Sequence, residues 1–206
     1  MKCRHCNSAW EYEWEYCPEC RRNFGGAVYP AKQTAQELAE IERLIALIQN
    51  AFEGVQLEDG TTIHEAELEG AYSDDRVRIA AREKDKEHNW RDVPGWKIER
   101  FHSALSFLDV KGWRFYIPAY MVWTLRNWRT TDSPTVDSLI WDFDPDFKIS
   151  FLPRYASLAS EQACAVCQFL QFFCDYSGEP DACKAMAAYW QQFAPTNSRD
   201  GGATPA

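Results

Sequence analysis

The sequence predicts a mainly α protein, α+β overall: a small metal-folded β module at the N-terminus, followed by a helical globular domain. Three observations carry this. Four cysteines fall in two close pairs, Cys3/Cys6 and Cys17/Cys20. From about Thr34 onward, apolar residues recur at three- and four-residue intervals, the period of a helix buried on one side. Of 206 residues, 46% are hydrophobic and 15% aromatic, which suffices for one packed domain plus a small module.

The head reads Cys3-Arg4-His5-Cys6, ten residues, then Cys17-Pro18-Glu19-Cys20. Two residues between cysteines let both thiolates of a tight turn face one ion, and two such turns supply four sulfurs at tetrahedral corners. Between them Tyr12, Trp14 and Tyr16 alternate with Glu11, Glu13 and Glu15, the period of a strand, so a short hairpin is expected. The pattern resembles zinc-ribbon domains, with Cys17-Pro18-Glu19-Cys20 similar to their second knuckle. It departs from them in lacking a glycine after each knuckle: Asn7 and Arg21 stand there instead. Four thiolates make a closed site, so one structural Zn2+ is expected on Cys3, Cys6, Cys17 and Cys20. Iron in the same tetrahedron is the rival, and His5 sits inside the first turn. A disulfide framework would need an oxidising compartment, and a redox pair would need only one Cys-x-x-Cys beside a βαβ unit.

The ribbon is expected over residues 1–28. Gly25-Gly26-Ala27 and Pro30 lead into a linker over 29–33. The helical domain is expected over 34–195 and a disordered tail over 196–206. Thr34-x-x-Glu37 fits a capping box for a helix to about Glu53, with Leu38, Ile41, Ile45, Ile48 and Phe52 on its apolar stripe. A short helix should follow Thr62, and another, capped within Ser73-Asp74-Asp75, should end near His88. Pro94 heads a helix over Gly95–Leu105, and Pro118 is expected in the first turn of one reaching Trp128. Thr135–Trp141 reads as extended and Asp142–Asp146 as a loop. Ser160 or Glu161 opens a helix to about Tyr176, and Pro180-Asp181 opens the last, which Pro195 stops.

Two stretches of the domain, Ala104-Leu105-Ser106-Phe107-Leu108-Asp109 and Gly112-Trp113-Arg114-Phe115-Tyr116-Ile117-Pro118-Ala119-Tyr120-Met121, together with Thr62-Ile63-His64-Glu65-Ala66-Glu67, resemble a bacterial family known only as a domain of unknown function. The resemblance runs from about residue 50 to 193. It implies a bacterial origin and a single body domain, and assigns no catalytic residue.

Other candidate sites carry weaker signals. His64 and Glu67, three apart on a helix, suit a metal or acid–base pair, but the second histidine of a zinc-protease helix is missing; a cap or salt bridge is the plainer reading. Asp142-x-Asp144-x-Asp146 starts like a calcium loop but lacks its glycine and distal glutamate, which leaves a solvated acidic turn. Cys164, Cys167, Cys174 and Cys183 read as core packing rather than a second metal site. Trp113, Phe115, Tyr116, Tyr120, Trp123 and Trp128 with Arg114, Arg126 and Arg129 suit base stacking, or else an aromatic core with snorkelling arginines.

Net charge is -9, and the excess of acid lies within residues 29–195, since charges cancel in 1–28 and in the tail. Nucleic-acid binding is disfavoured by that balance, because phosphate attraction supplies most of such affinity. No apolar run approaches membrane-spanning length, and Met1 lies too close to Cys3 for a leader peptide, so the expected location is cytoplasmic. The leading expectation is a non-enzymatic zinc-binding protein, an adaptor or immunity-type inhibitor, that contacts a protein partner with a basic face. The alternatives are an enzyme using His64 and Glu67, and nucleic-acid binding through the ribbon.

Overall fold

The computed structural model describes residues 33–70, 74–146 and 151–195. The expected ribbon with Cys3, Cys6, Cys17 and Cys20, the linker up to Lys32, and the tail over 196–206 lie outside the described residues. Among those described, regular structure is helical: α1 (Ala35–Ala51), α2 (Ile63–Gly70), α3 (Asp75–Arg82), α4 (Gly95–Arg100), α5 (Val110–Asn127), α6 (Thr135–Asp142), α7 (Leu152–Ala156), α8 (Ser160–Tyr176) and α9 (Pro180–Ala188). Short 3-10 turns at Trp90–Asp92, Ala104–Phe107 and Trp190–Phe193 complete the set. No helix among the described residues is long and apolar enough to cross a membrane.

The hub is α5, against which α1, α4, α6 and α7 all pack. It buries Trp113, Phe115, Tyr116, Ile117, Tyr120, Met121 and Leu125, which lie on most sides of the helix. A helix apolar all round belongs inside a fold rather than on its surface. Its start corrects the expectation for Pro118. Asp109 is the N-cap, its carboxylate accepting from Gly112 N at 2.7 Å, and Pro118 sits mid-helix. A proline there removes one helical hydrogen bond, a cost of about 3 kcal/mol that the cap and the complete burial of this segment offset. The same carboxylate accepts from Thr61 N at 3.1 Å, which brings the 57–61 loop against the helix. That approach needs bare backbone: a Cβ on Gly112 would stand 2.3 Å from Thr61 O, and one on Gly60 2.6 Å from Gly112 N.

Helix α1 follows the expected period with one exchange. Ile41, Leu44, Ile45 and Ile48 are buried, but Leu38 is 47% exposed and Glu37 is buried in its place. Thr34 Oγ1 accepts from Glu37 N at 3.0 Å, half of a capping box. The other half is absent because the Glu37 carboxylate grips Arg129 instead, at 2.7 and 3.1 Å. Where Thr135–Trp141 was expected to be extended, α6 forms. The β-branched Thr135 and Val136 suggest a strand, but Leu139, Ile140 and Phe143 are buried at one-turn spacing, and the tertiary contact decides. The helix expected over Gly95–Leu105 stops at Arg100, and α3 ends at Arg82, short of His88. Helix α7 was not foreseen. The two C-terminal helices match expectation at both ends of α8 and at the start of α9.

Long-range donors close the ends of several helices. The last carbonyls of a helix have no partner within it. Trp90 Nε1 donates to Phe52 O at the end of α1 (2.9 Å), Tyr120 Oη to Phe101 O at the end of α4 (2.8 Å), and Trp190 Nε1 to Phe143 O at the end of α6 (2.8 Å). Tyr155 Oη donates to Asp142 O at 2.7 Å. Arg154 reaches the carbonyls of Leu105, Ser106 and Leu108 at 2.6–3.0 Å, around the 3-10 turn. Each ring fills core volume with its body and satisfies a buried carbonyl with its tip.

Candidate functional site

His64 lies at the start of α2, with Thr62 and Glu65 forming a reciprocal cap: Thr62 N donates to Glu65 Oε2 at 2.8 Å and Glu65 N to Thr62 Oγ1 at 3.5 Å. His64 Nδ1 lies 2.7 Å from Asp85 Oδ1, and His64 N donates to Asp85 Oδ2 at 3.0 Å. Lys97 Nζ completes the cluster, 2.8 Å from Asp85 and 2.7 Å from Glu87. Burial alone would raise the Asp85 carboxyl, but Lys97 and the two His64 donors hold it below the ordinary value. Burial would likewise lower the Lys97 ammonium, and Asp85 with Glu87 keep it raised. His64 therefore pairs with a carboxylate by hydrogen bonds, and its partner is Asp85 rather than Glu67, which is exposed. The cluster joins α2, the 83–88 segment and α4. The best-formed clefts among the described residues have neither His64 nor Glu67 in their walls.

The Asp142 run is solvated only at its end, Asp146. Asp142 is buried and receives Trp113 Nε1, and Asp144, also buried, pairs with Lys184 at 2.8 Å. Asp146 lends its backbone N–H to Asp144 Oδ1 at 2.9 Å. Asp142 and Asp144 turn inward to serve α5 and α9, while Asp146 stays exposed. Among the described residues, no group of three or more His, Cys, Asp and Glu side chains is placed to hold a metal.

The later cysteines depart from the core-packing expectation in part. Cys167 is buried, and burial pushes its thiol up; Cys164 is half-buried. Cys174 and Cys183 instead form a disulfide between α8 and α9, with Cα atoms 5.3 Å apart. They stand nine positions apart, and the tight Ser177-Gly178 turn, with Gly178 at φ 67°, folds α9 back on α8. Core packing therefore describes Cys167, while local periodicity could not show that the faces carrying Cys174 and Cys183 meet.

The aromatic and arginine stretch divides. Trp113, Phe115, Tyr116 and Tyr120 are core. Trp128 packs edge-on against Phe172 and Phe173 under the Arg129 guanidinium, 4.0 Å above its ring. Trp123 is different. It walls a surface cleft of about 240 Å³ floored by Trp90, Val93, Ile98 and Val122, with Arg91 and Arg126 at its rim. A Cβ on Gly95 would stand 3.1 Å from Trp123 Nε1, so the glycine lets that edge of the indole come close to the start of α4. Trp96, next along, is 58% exposed. Arg91 stacks on Trp90 and donates to Gln49 O at 2.6 Å. Neither Arg91 nor Arg126 meets a carboxylate among the described residues. Tryptophan and arginine around an apolar floor is the composition of a protein-contact surface. Sequence reading missed this cleft, because Trp90, Gly95 and Trp123 come from separate elements.

No curated protein matches the chain, and no solved structure does. The family described as "Family of unknown function (DUF6714)" matches residues 40–194. That span starts ten residues before the expected likeness and covers nearly the whole described helical body, so the chain belongs to the DUF6714 family of unknown function.

Proposed function

We propose that this chain is a zinc-binding protein that works by contact with another protein, as an adaptor or an immunity-type inhibitor, and not by turning over a substrate. The observation that carries the zinc reading is the spacing of Cys3, Cys6, Cys17 and Cys20, two knuckles separated by a hairpin-length segment. Those four thiolates would close the ion's coordination, so the metal folds the 1–28 head and does no chemistry. The partner reading rests on charge. The excess acid of residues 29–195 steers a basic protein face to the helical body and repels nucleic acid. Thiolate ligands need a reducing setting such as the cytoplasm, where Cys174 and Cys183 would stand as two thiols within bonding range.

Metal analysis of purified protein tests this. One zinc per chain, lost in Cys17→Ser, is expected, and chelation should leave the helical signal largely intact because the body has its own core. Two zincs per chain, or loss of most helicity on chelation, would overturn it. In titrations near physiological salt, mixed DNA and RNA should bind only weakly. Sub-micromolar affinity lost on Arg21/Arg22 substitution would move the function to nucleic acid.

A further inference from the structure

We infer that the cleft walled by Trp123 is a docking site for this chain's own Trp10–Tyr16 segment. The cleft is apolar at its floor and cationic at its rim, in a chain whose net charge is -9. A basic partner suits the acidic remainder of the body but not this place. Its complement is a bulky apolar side chain flanked by carboxylates. Trp10-Glu11-Tyr12-Glu13-Trp14-Glu15-Tyr16 is that sequence written out: any aromatic from Tyr12 to Trp14 that enters brings a glutamate on either side of it. The long, flexible Glu and Arg side chains let those carboxylates reach the Arg91 and Arg126 guanidiniums, where charge-assisted pairs form. Trp123 Nε1, over Gly95, makes no hydrogen bond among the described residues and adds a donor in the cleft wall.

The chain enters the body in the right place. Glu37, in the first turn of α1, is bound to Arg129, three residues beyond the rim arginine Arg126. Thr34 stands 14 positions after Cys20. An extended segment of that length reaches about 50 Å, whereas the cleft wall along α5 from Ala119 to Asn127 is only about 12 Å long. The head therefore reaches the cleft without strain. An external acidic partner would have to displace a segment held at high local concentration by its own tether. The inference goes beyond the zinc reading and does not need it: the aromatic and acidic residues are not metal ligands, so zinc analysis and docking can fail separately.

The test uses the full chain carrying Arg126→Lys, which puts a primary amine at the rim, and a zero-length carbodiimide coupling read by peptide mapping. An amide link from position 126 to Glu11, Glu13 or Glu15 at monomer mass is expected. Adding Trp10→Ser and Trp14→Ser should cut its yield roughly tenfold, because aromatic anchors dominate such contacts. In hydroxyl-radical footprinting, the same two serine substitutions in the otherwise wild-type chain should raise oxidation of Trp123, which walls the cleft. No link to those glutamates, a link found only at dimer mass, or a footprint unchanged by the serine substitutions would each overturn the assignment. The dimer result would give the cleft to a second copy.

Discussion

The two ends of the helical body are held by opposite means. Between residues 61 and 101 the joints are charged: Asp85, His64, Lys97 and Glu87 at one point, Arg82 with Glu65 (3.0 Å) at another. Between residues 139 and 193 they are mostly rings: Trp190 meets Phe143, Tyr155, Tyr189 and Phe193 with centroids 4.8–6.1 Å apart. Residues 83–89 make no helix and bury little apolar surface of their own, so a lysine pulled inward by two carboxylates does the fastening there. The ring-filled end has α8 and α9 to pack and needs volume. A joint made of charges fixes geometry and answers to pH; a joint made of rings answers to shape.

Substitutions should separate the two. The largest effect is expected for Trp190→Ala, which empties a fully buried site and removes the donor to Phe143 O; a loss of about 4 kcal/mol in denaturant unfolding is expected. That deficit should not change between pH 5 and pH 8. Asp85→Ala should cost about 3 kcal/mol at neutral pH, since it leaves Lys97 and His64 short of a buried partner. Its deficit should depend on acid. The Asp85 carboxyl is held low in the folded state, so its contribution is complete above the unfolded value of about 4 and is lost as pH falls through the folded value. Lys97 is shifted upward, so its contribution is complete below about 10.4 and is lost only as pH rises through its folded value. The gap between wild type and Asp85→Ala should therefore narrow below about pH 4, and again on the alkaline side as Lys97 loses its proton. A gap that is flat down to pH 2 would mean that the joint is not electrostatic.

Smaller changes sharpen the comparison. Tyr120→Phe keeps the ring and removes only the donor to Phe101 O, for an expected loss of about 1–2 kcal/mol by the same measurement. Thr34→Ala removes the α1 cap and should cost about 1 kcal/mol. If Tyr120→Phe proves neutral, water replaces the phenol at the end of α4.

Much of the helical body was legible because its helices carry their own punctuation: Thr34, Asp74, Gly178 and Pro180 mark ends that the structure keeps. Errors came where a partner distant in sequence decided the outcome. Glu37 is buried because Arg129 lies 92 positions away, and Leu38 is turned out as a result. Thr135 and Val136 look like a strand until Leu139 and Ile140 find the core. The Trp123 cleft, the Lys97 cluster and the Cys174–Cys183 pair are all products of tertiary proximity, which no local pattern encodes.

The Glu37–Arg129 clasp has a further consequence for the way the body can open. It ties the first turn of α1 to a residue just beyond the end of α5, so α1 cannot fray from its N-terminal end without giving up the partner of a buried carboxylate. Fraying that would be almost free in an exposed helix is thereby coupled to the hub of the fold. Arg129→Ala should uncouple the two: amide exchange in the first turns of α1 should speed up while the centre of α5 keeps its protection.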